Sequence, residues 1–460
     1  MGKKYKKIVT AQGSDTLFSL YENKMGTYTM NIVLGLDMVI EKPKLDEAIN
    51  RLIKVAPILK GVMINKTWRD IWVEASAESI EKILTYNNIS EKDIDQNDKN
   101  GFLNKYENDL YKKIDIYTEP PLKIAAYQTE KRILLIFTLH HSVTDGIGFL
   151  GIVKIFCEIL SELYNLGKIK TKISKNRGIS NLITSIKIHT IPKILKQTKI
   201  ESKIPLKRED VGPITKMECP TLTDNSTQLL SKLVISQEEF QTIKECAKKQ
   251  GITINDYIIS SFIALSREME KKINVNSKFL GAGVLVNLRR FIPKKDLILA
   301  NFVGASTVLF ENNEALDNFE SCAKVVSEQT NKLKNEFIGL GFFLIPALMF
   351  SGFPIVMLRK NGLTWAENFI RGWTDRIFQI TNLGNLKEYF EAFEGKINYA
   401  SFLGPFQKNS LPTVSVSTYN DILSIFFSHT VNDFDKGKKE LDFISERLRY
   451  YLLEWAKVKK

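Results

Sequence analysis

Residues 132–146 read RILLIFTLHHSVTDG, an apolar run followed by a cluster of polar residues. The first eight residues form a short apolar segment that is typical of a buried β-strand. Two adjacent histidines follow, and a glycine closes the segment, where it permits a turn or a close approach that a side chain would block. We therefore predict a polar cluster at the end of a buried strand, at the mouth of a cleft, where functional sites commonly lie.

His141 is the candidate catalytic residue of this segment. A neutral imidazole can remove a proton from a hydroxyl as that hydroxyl attacks a carbonyl, provided that the ring is held in place. Asp145 lies four residues further on and can fix the local geometry. The chain contains only four histidines, and two of them are adjacent here. The whole pattern, placed after a buried strand, favours a catalytic role over a structural one.

The pattern His140-His141-x-x-x-Asp145-Gly146 resembles the signature of the CoA-dependent acyltransferase superfamily. This superfamily includes chloramphenicol acetyltransferase, peptide-synthetase condensation domains, alcohol acetyltransferases and wax ester synthases. Four further segments resemble family motifs in the same order along the chain, and together they span nearly all of it. They are residues 14–18 with Met30, residues 251–256, residues 286–290 with Asn301, and residues 381–384.

The resemblance implies an α/β fold of two chloramphenicol-acetyltransferase-like subdomains, which form a V-shaped pseudo-dimer with the active site at their interface. Strand patterns alternate with helical patterns throughout the sequence, and this independently favours a mixed α/β fold. We expect an N-terminal acyltransferase subdomain at 1–166, a basic linker with an amphipathic helix at 167–225, and a C-terminal acyltransferase subdomain at 226–460.

A second copy of the histidine segment supports this duplication. Residues 429–433 repeat the spacing of residues 141–145 and also follow an apolar, strand-like run. Ser428 replaces the first histidine of the motif and Phe434 replaces its glycine. We therefore expect the second copy to have lost its site and His429 to be structural.

The resemblance also implies roles for the site residues. His141 is the general base, and His140 packs or hydrogen-bonds beside it. Asp145 points away from the substrate and pairs with an arginine, for which Arg289 is the candidate. Gly146 completes the motif. The residues that we expect to line the cleft and contact substrate are Asn301, Thr381 and Asn382, the last two near the developing oxyanion.

We expect an enzyme that transfers an acyl group from acyl-CoA, as co-substrate, to the hydroxyl of a lipophilic alcohol, with no bound cofactor and no metal. Wax ester synthases usually carry Pro-Leu-Trp before the histidines, whereas this chain has Lys123 in place of the tryptophan. The alternative is a free-standing condensation-type enzyme that forms an amide or ester from a carrier-protein thioester. Thioester hydrolysis and a non-catalytic binding protein on the same fold stay open as well.

The composition fits a globular cytoplasmic protein. The 460 residues are 44% apolar and 25% charged, which argues against general disorder. The four cysteines are scattered, without the spacing of a zinc site or a disulfide scaffold, and this fits a reducing compartment. The basic N-terminus lacks the apolar stretch of a signal peptide.

The net charge of +13 favours anionic partners. No nucleic-acid-binding motif accompanies this charge, so we do not expect nucleic acid among them. Residues 167–208 are rich in lysine with interleaved apolar residues, which predicts a basic amphipathic helix. Such a helix either packs as a solvated linker or contacts an anionic membrane surface or an acidic partner, and membrane contact would make the protein peripheral to the membrane.

Residues 338–358 contain no charged residue, and the run is long enough to span a bilayer. Two prolines and three glycines within it would break a single helix. We therefore favour a buried or interfacial hairpin, and an apolar wall for a lipophilic substrate is one form of that hypothesis.

Overall fold

Strands and helices alternate along most of the chain in the computed structural model. The residues that it describes are 5–22, 25–91, 106–202, 210–213, 226–293, 296–334, 337–341, 343–344, 354–357, 359, 376–393 and 395–457. The strands are β1 Lys7–Thr10, β2 Gly26–Thr27, β3 Thr29–Leu36, β4 Gly61–Ile64, β5 Ile71–Glu74, β6 Leu84–Asn88, β7 Leu122–Gln128, β8 Ile133–His140, β9 Val211–Gly212, β10 Thr227–Ile235, β11 Phe279–Asn287, β12 Val303–Glu311, β13 Phe378–Asn385, β14 Ile397–Leu403, β15 Phe406–Gln407, β16 Thr413–Tyr419 and β17 Ile422–Val431. The α-helices are α1 Gly13–Tyr21, α2 Lys42–Val55, α3 Ala77–Glu81, α4 Gly146–Leu163, α5 Ser180–Ile183, α6 Ile191–Ser202, α7 Gln237–Lys249, α8 Ile254–Lys272, α9 Phe319–Lys334, α10 Ile355–Met357 and α11 Phe434–Lys457.

Most strands belong to two sheets. The first sheet has the order β14-β3-β8-β7-β6, and the second has the order β10-β17-β16-β13-β11-β12, with β9 beside β11. A three-stranded sheet, β1-β5-β4, and the pair β15-β2 accompany them. The two main sheets correspond to the two halves of the chain, apart from one strand described below.

Strands β3 and β8 form the centre of the first sheet, and every residue of both is buried. Strands that are covered on both faces read as continuous apolar runs, which explains why residues 133–139 show no alternation. One face of the sheet packs against α2 and α4. The other face packs in a smaller cluster that includes Phe406 and Phe426 from the second half.

The second sheet has its own core, packed against α7, α8, α9 and α11. Strand β17 leads into α11 in the same way that β8 leads into α4. His141 and His429 therefore occupy equivalent positions between a buried strand and a helix, as the repeat in the sequence predicts.

Strand β14 joins the two halves, because it comes from the C-terminal half but lies in the first sheet. It runs antiparallel to β3, with Tyr399 opposite Gly35 and Ser401 opposite Val33. The central strand β3 is thereby paired on both sides, with β8 and β14. The predicted domain boundaries at 166, 225 and 226 stay predictions. Within residues 226–460 the chain passes from the second sheet to the first, where β14 pairs with β3, and then returns to the second sheet.

The described part of the linker contains α5 and α6. Helix α6 turns Ile194 and Gln197 inward. Ile194 packs, together with Leu182, in a small cluster with residues of the second half: Leu288, Ile298, Ala300, Phe302 and Leu340.

Most of the uncharged run 338–358 lies outside the described residues, and so does the hairpin expected there. Its described parts are 338–341, 343–344 and 354–357. Within the ranges that the structure describes, no helix has both the length and the apolar character needed to cross a bilayer.

Candidate active site

The histidine segment is held by its main chain at the end of β8. The His140 amide donates to the Pro121 carbonyl at 2.9 Å, and the His141 amide donates to the Tyr28 carbonyl at 2.8 Å. A tight turn follows, in which the Val143 amide donates back to the His140 carbonyl at 3.1 Å. The position of the His141 backbone is therefore fixed by neighbouring strands and not only by its own loop.

The His141 ring lines a cavity of about 340 Å³ between elements of both halves. It stacks on Phe18 of α1, with 4.2 Å between ring centroids and 20° between ring planes, and Tyr28 approaches edge-on at 6.5 Å. Its Nδ1 atom is buried. Nε2 is therefore the nitrogen that is left to meet a ligand, and the stacked rings limit how far the imidazole can rotate.

Burial lowers the pKa of His141 to about 4, and the Asp145 carboxylate only partly opposes this effect. The desolvated ring disfavours its charged form. At neutral pH the imidazole is therefore uncharged and has a lone pair available to accept a proton.

Asp145 is fully engaged by groups of the protein. It caps the N-terminus of α4 by accepting from the Gly148 amide at 3.0 Å. Arg289 Nη1 donates to both carboxylate oxygens, at 2.8 and 2.7 Å, and the Phe302 amide donates to Oδ2 at 2.7 Å. This carboxylate therefore serves as a structural anchor and is not free for proton transfer.

Hydrogen bonds connect segment 298–302 to the histidine segment, in part directly and in part through Arg289. Arg289 Nη2 donates to the Ile298 and Ala300 carbonyls, at 3.0 and 2.6 Å, and Thr144 Oγ1 donates to the same Ala300 carbonyl at 3.0 Å. Asn301 Nδ2 donates to the His141 carbonyl at 2.9 Å. The second half thus helps to position the base of the first half.

Arg177 is a positioning residue that the sequence did not reveal. Its guanidinium donates to the Asp15 carboxylate at 3.0 Å, to the Val143 carbonyl at 2.8 Å and to the Leu299 carbonyl at 2.5 Å. Both charged side chains are buried, and burial raises the pKa of Asp15 although Arg177 lowers it. A buried pair of this kind is costly to break, so it ties the linker to α1, the histidine segment and segment 298–302.

His140 is fully buried and does not line the cavity. Its Nδ1 accepts from the Ser142 amide at 3.1 Å and lies 2.8 Å from Ser142 Oγ. Nε2 therefore carries the proton and faces Glu22 at 3.4 Å. These contacts shape the turn and leave His140 without access to a substrate.

The structure brings six of the eight predicted site residues to one cavity. These are His141, Asp145, Gly146, Asn301, Thr381 and Asn382. Of the other two, Arg289 binds Asp145 from behind and His140 lies in the core.

Gly146 allows strands β13 and β14 to approach the motif closely. A Cβ atom at this position would lie 3.2 Å from Leu383 Cδ2 and 3.3 Å from Phe402 Cζ. Asn382 is held on β13, where its Oδ1 accepts from the Gly384 amide at 2.9 Å and its Nδ2 donates to Asn255 Oδ1 at 3.2 Å. One N–H of this amide remains for a ligand.

Apolar side chains provide most of the cavity wall. The aromatic ones are Phe18, Tyr21, Tyr28, Phe302, Phe343 and Phe402. Aliphatic side chains from α1, β11, β12 and β13 fill the spaces between them. A cavity of this kind favours ligands with hydrocarbon parts.

The second copy of the motif has no access to this cavity. His429 is buried at 2% exposure, and burial lowers its pKa to about 4. Ser428, in place of the first histidine, donates to the Pro405 carbonyl at 3.0 Å. His429 therefore lies where a structural residue would lie.

Comparison with known proteins gives a family match over part of the chain and one fold over nearly all of it. The family model described as the Condensation domain matches residues 7–180. Among solved structures, the chain is similar to the first condensation domain of the CDA synthetase, with 12% identity, a TM-score of 0.68 and coverage of 100% of this chain and 97% of that one. It is also similar to the TRI3 trichothecene 15-O-acetyltransferase from Fusarium sporotrichioides, with 12% identity, a TM-score of 0.64 and coverage of 98% of each chain.

A third similar structure is the SgcC5 protein from Streptomyces globisporus, with 9% identity, a TM-score of 0.67 and coverage of 97% of this chain and 98% of that one. Among curated proteins, none matches the chain. The family-model match agrees with the resemblance over residues 7–180, and the solved structures confirm the α/β fold of two chloramphenicol-acetyltransferase-like subdomains.

Proposed function

We propose that this chain, which has the fold of the condensation domains, transfers an acyl group from acyl-CoA to the hydroxyl of a lipophilic alcohol. The observation that carries the proposal is the His141 imidazole, which is uncharged at neutral pH and lines an apolar cavity between the two halves. A base in this setting can take a proton only from a ligand that enters the cavity.

In this reaction, Nε2 of His141 removes the hydroxyl proton as the alcohol oxygen attacks the thioester carbonyl. A C–O bond forms, and the negative charge moves to the carbonyl oxygen. When the carbonyl reforms, the C–S bond breaks and the imidazolium returns the proton to the leaving sulfur. The products are an ester and free CoA, and His141 is again neutral. A positioned base contributes about 10²–10⁴-fold to such a reaction.

The apolar cavity wall supports a lipophilic acceptor. The amide of Asn382 and the hydroxyl of Thr381 are the polar groups on β13 that would contact the reacting carbonyl. Asn301 also lines the cavity, and its contact with the His141 carbonyl suits a residue that orients both base and substrate.

The second candidate is condensation with a carrier-protein thioester, which forms an amide or an ester. The similarity to a condensation domain of a synthetase over the full chain favours this candidate as much as the similarity to an O-acetyltransferase favours the first. The donor thioester and the acceptor nucleophile distinguish the two.

The test incubates purified protein with acetyl-CoA or palmitoyl-CoA and a panel of alcohols and amines, and it follows thiol release together with product mass. We expect ester products, and we expect His141→Ala to lose at least ~10²-fold in turnover. His189→Ala is the matched control, because His189 is exposed in the linker and away from the cavity. It should retain full activity.

Undiminished turnover by His141→Ala would remove the proposed mechanism. Thiol release without an acylated product would indicate hydrolysis. Amide products obtained only from a carrier-protein thioester would replace the first candidate with the second.

A further inference from the structure

The linker carries an unusual surface. Residues 163–200, which overlap the first part of the linker, contain eight lysines and one arginine but no aspartate or glutamate, and Glu162 and Glu201 flank them. The same stretch contains six of the fifteen large hydrophobic side chains that are exposed in the described chain, so exposed apolar groups are concentrated here. They are Leu166 (61% exposed), Ile169 (40%), Ile183 (42%), Ile188 (83%), Ile191 (43%) and Leu195 (64%).

Three of these side chains lie on one side of the α6 region. Ile188, Ile191 and Leu195 follow each other at intervals of three and four residues, which is the spacing of one helix face. Ile194, next to Leu195 in the sequence, and Gln197 are buried on an adjacent side of α6. The helix therefore uses one apolar side to pack on the protein and leaves a second apolar side exposed. We call the exposed side, with the lysines beside it, the linker face.

Lysines lie close in sequence to this exposed apolar stripe. Lys187, Lys193 and Lys196 are all exposed within nine residues of Ile188. An apolar stripe with cations close by in the chain matches the two layers of an anionic membrane surface, and Glu201 is the one acidic residue of α6. The aliphatic groups enter the acyl-chain boundary while the ammonium groups meet lipid phosphates and carboxylates.

The linker face is also connected to the cavity. The inner side of α6 packs in the same cluster as Phe302, and Phe343 packs against that cluster. Both aromatic rings line the cavity with His141. The contact between linker and cavity wall is close, since a Cβ atom at Gly341 would lie 1.9 Å from Thr198 Oγ1.

We propose that the linker face docks on a membrane surface that contains anionic lipid, and that docking places the cavity wall beside the bilayer. Docking does not depend on the proposed function. Its consequence does rest on it: a lipophilic alcohol dissolved in the bilayer would reach His141 without crossing water. An acidic protein partner would pair mainly with the lysines, whereas the exposed Ile188, Ile191 and Leu195 beside them favour the acyl-chain boundary of a bilayer.

The docking test is co-sedimentation of the full chain with phosphatidylcholine vesicles, with and without about 30 mol% phosphatidylserine. We expect binding only to the anionic vesicles and weaker binding at high salt, because salt screens the lysines. The variants Lys187→Glu/Lys193→Glu/Lys196→Glu and Ile188→Asn/Leu195→Asn should each reduce binding about tenfold or more.

Two matched controls change equivalent exposed residues elsewhere. Lys248→Glu/Lys249→Glu/Lys439→Glu changes the net charge by the same amount as the lysine variant of the linker face. Val39→Asn/Val55→Asn removes aliphatic side chains that are 46% and 48% exposed. Both should bind anionic vesicles like the parent chain. Equal binding to neutral vesicles, equal losses in the controls, or an aliphatic variant that binds as well as the parent would overturn docking by the linker face. In the last case, lysine-dependent binding would be electrostatic attraction to the anionic lipid alone, without insertion of the aliphatic side chains.

Delivery from the bilayer has its own readout. With a long-chain alcohol in anionic vesicles, Ile188→Asn/Leu195→Asn should lose turnover about tenfold, in line with its lost binding. With a water-soluble short-chain alcohol it should turn over like the parent. If the variant turned over both alcohols as fast as the parent chain does, delivery from the bilayer would be overturned. If the parent chain turned over no alcohol, the proposed function would be contradicted and the binding result would be unaffected.

Discussion

Burial of the His141 ring has two opposite effects on it as a base. A pKa of about 4 keeps the imidazole uncharged at neutral pH, so that the whole population can accept a proton. The same desolvation weakens the base, since efficiency rises with basicity until the ring becomes protonated. Phe18 and the main-chain contacts of the turn hold the ring in place, and this positioning compensates for lost basicity.

The pH dependence of catalysis should report this pKa. The base works only when neutral, and its pKa is lowered from 6.5 to about 4, so activity is lost as pH falls through about 4. We expect kcat/KM to be level from about pH 8 down to about pH 5 and to decline below that, because kcat/KM follows ionisation of the free enzyme. The measurement is kcat/KM against pH with a soluble alcohol.

Far-UV circular dichroism at each pH separates loss of the base from acid unfolding, and only points with native spectra are used. An acid limb centred near the ordinary histidine value of 6.5 would contradict the buried setting of His141.

At the scale of elements, the site depends on how the N-terminus of α4 meets segment 298–302. Thr144 and Asp145 both bind this segment, and Asp145 also caps α4. Gly148, in the first turn of the helix, leaves the space that the Thr144 side chain occupies. The helix start, the turn and the segment from the second half therefore form one packed unit.

Gly148→Ala should disrupt this unit. Its added Cβ atom would lie 1.8 Å from Thr144 Oγ1, whose hydroxyl donates to the Ala300 carbonyl. We expect a loss of about 1–3 kcal/mol in the free energy of unfolding, as for other overpacked sites. We also expect lower kcat, because the same shift displaces the support of His141. Denaturant unfolding and steady-state kinetics measure the two effects.

The double variant Thr144→Ala/Gly148→Ala supplies the control, since it removes the hydroxyl that the new methyl group meets. It should recover part of both losses, with Thr144→Ala alone as the reference. If the double variant is no better than Gly148→Ala, the steric explanation is wrong.

At the scale of the whole molecule, the two halves are joined by structure as well as by sequence. Strand β14 completes the first sheet, and Arg289 and the carbonyls of segment 298–302 complete the histidine site. The first half lacks one strand of its sheet, and the histidine site needs residues from both halves. The fold therefore places the cavity where both halves contribute to its wall.

Separation of the halves should consequently prevent folding of the first one. A fragment of residues 1–225 lacks β14 and leaves one edge of β3 unpaired, although every residue of β3 is buried in the intact chain. Unpaired apolar edges promote aggregation. We expect this fragment to be insoluble or to show no cooperative thermal transition by circular dichroism.

Co-expression with residues 226–460 is the matched comparison, because it restores β14 without a covalent link. It should increase the soluble yield of the first fragment and allow the two to be purified together. A soluble 1–225 fragment with a sharp unfolding transition would contradict this account.

The local features of the protein could be predicted from its amino-acid sequence. The apolar run and the polar cluster at 132–146 predicted β8 and the turn that follows it, because burial and turn formation depend on neighbouring residues. The order of the family motifs predicted the α/β fold with two related subdomains, which the comparisons confirm. The same motifs named six residues that the structure brings to one cavity.

The contacts that connect these features became visible only in the tertiary structure. Arg177 contacts groups that are 34, 122 and 162 residues away, so no periodicity or spacing marks it. The return of β14 to the first sheet and the stacking of Phe18 on His141 are likewise contacts between distant segments. Such contacts arise only when the folded chain brings distant segments together, because their free energy comes from shared burial and paired charges that no local pattern records.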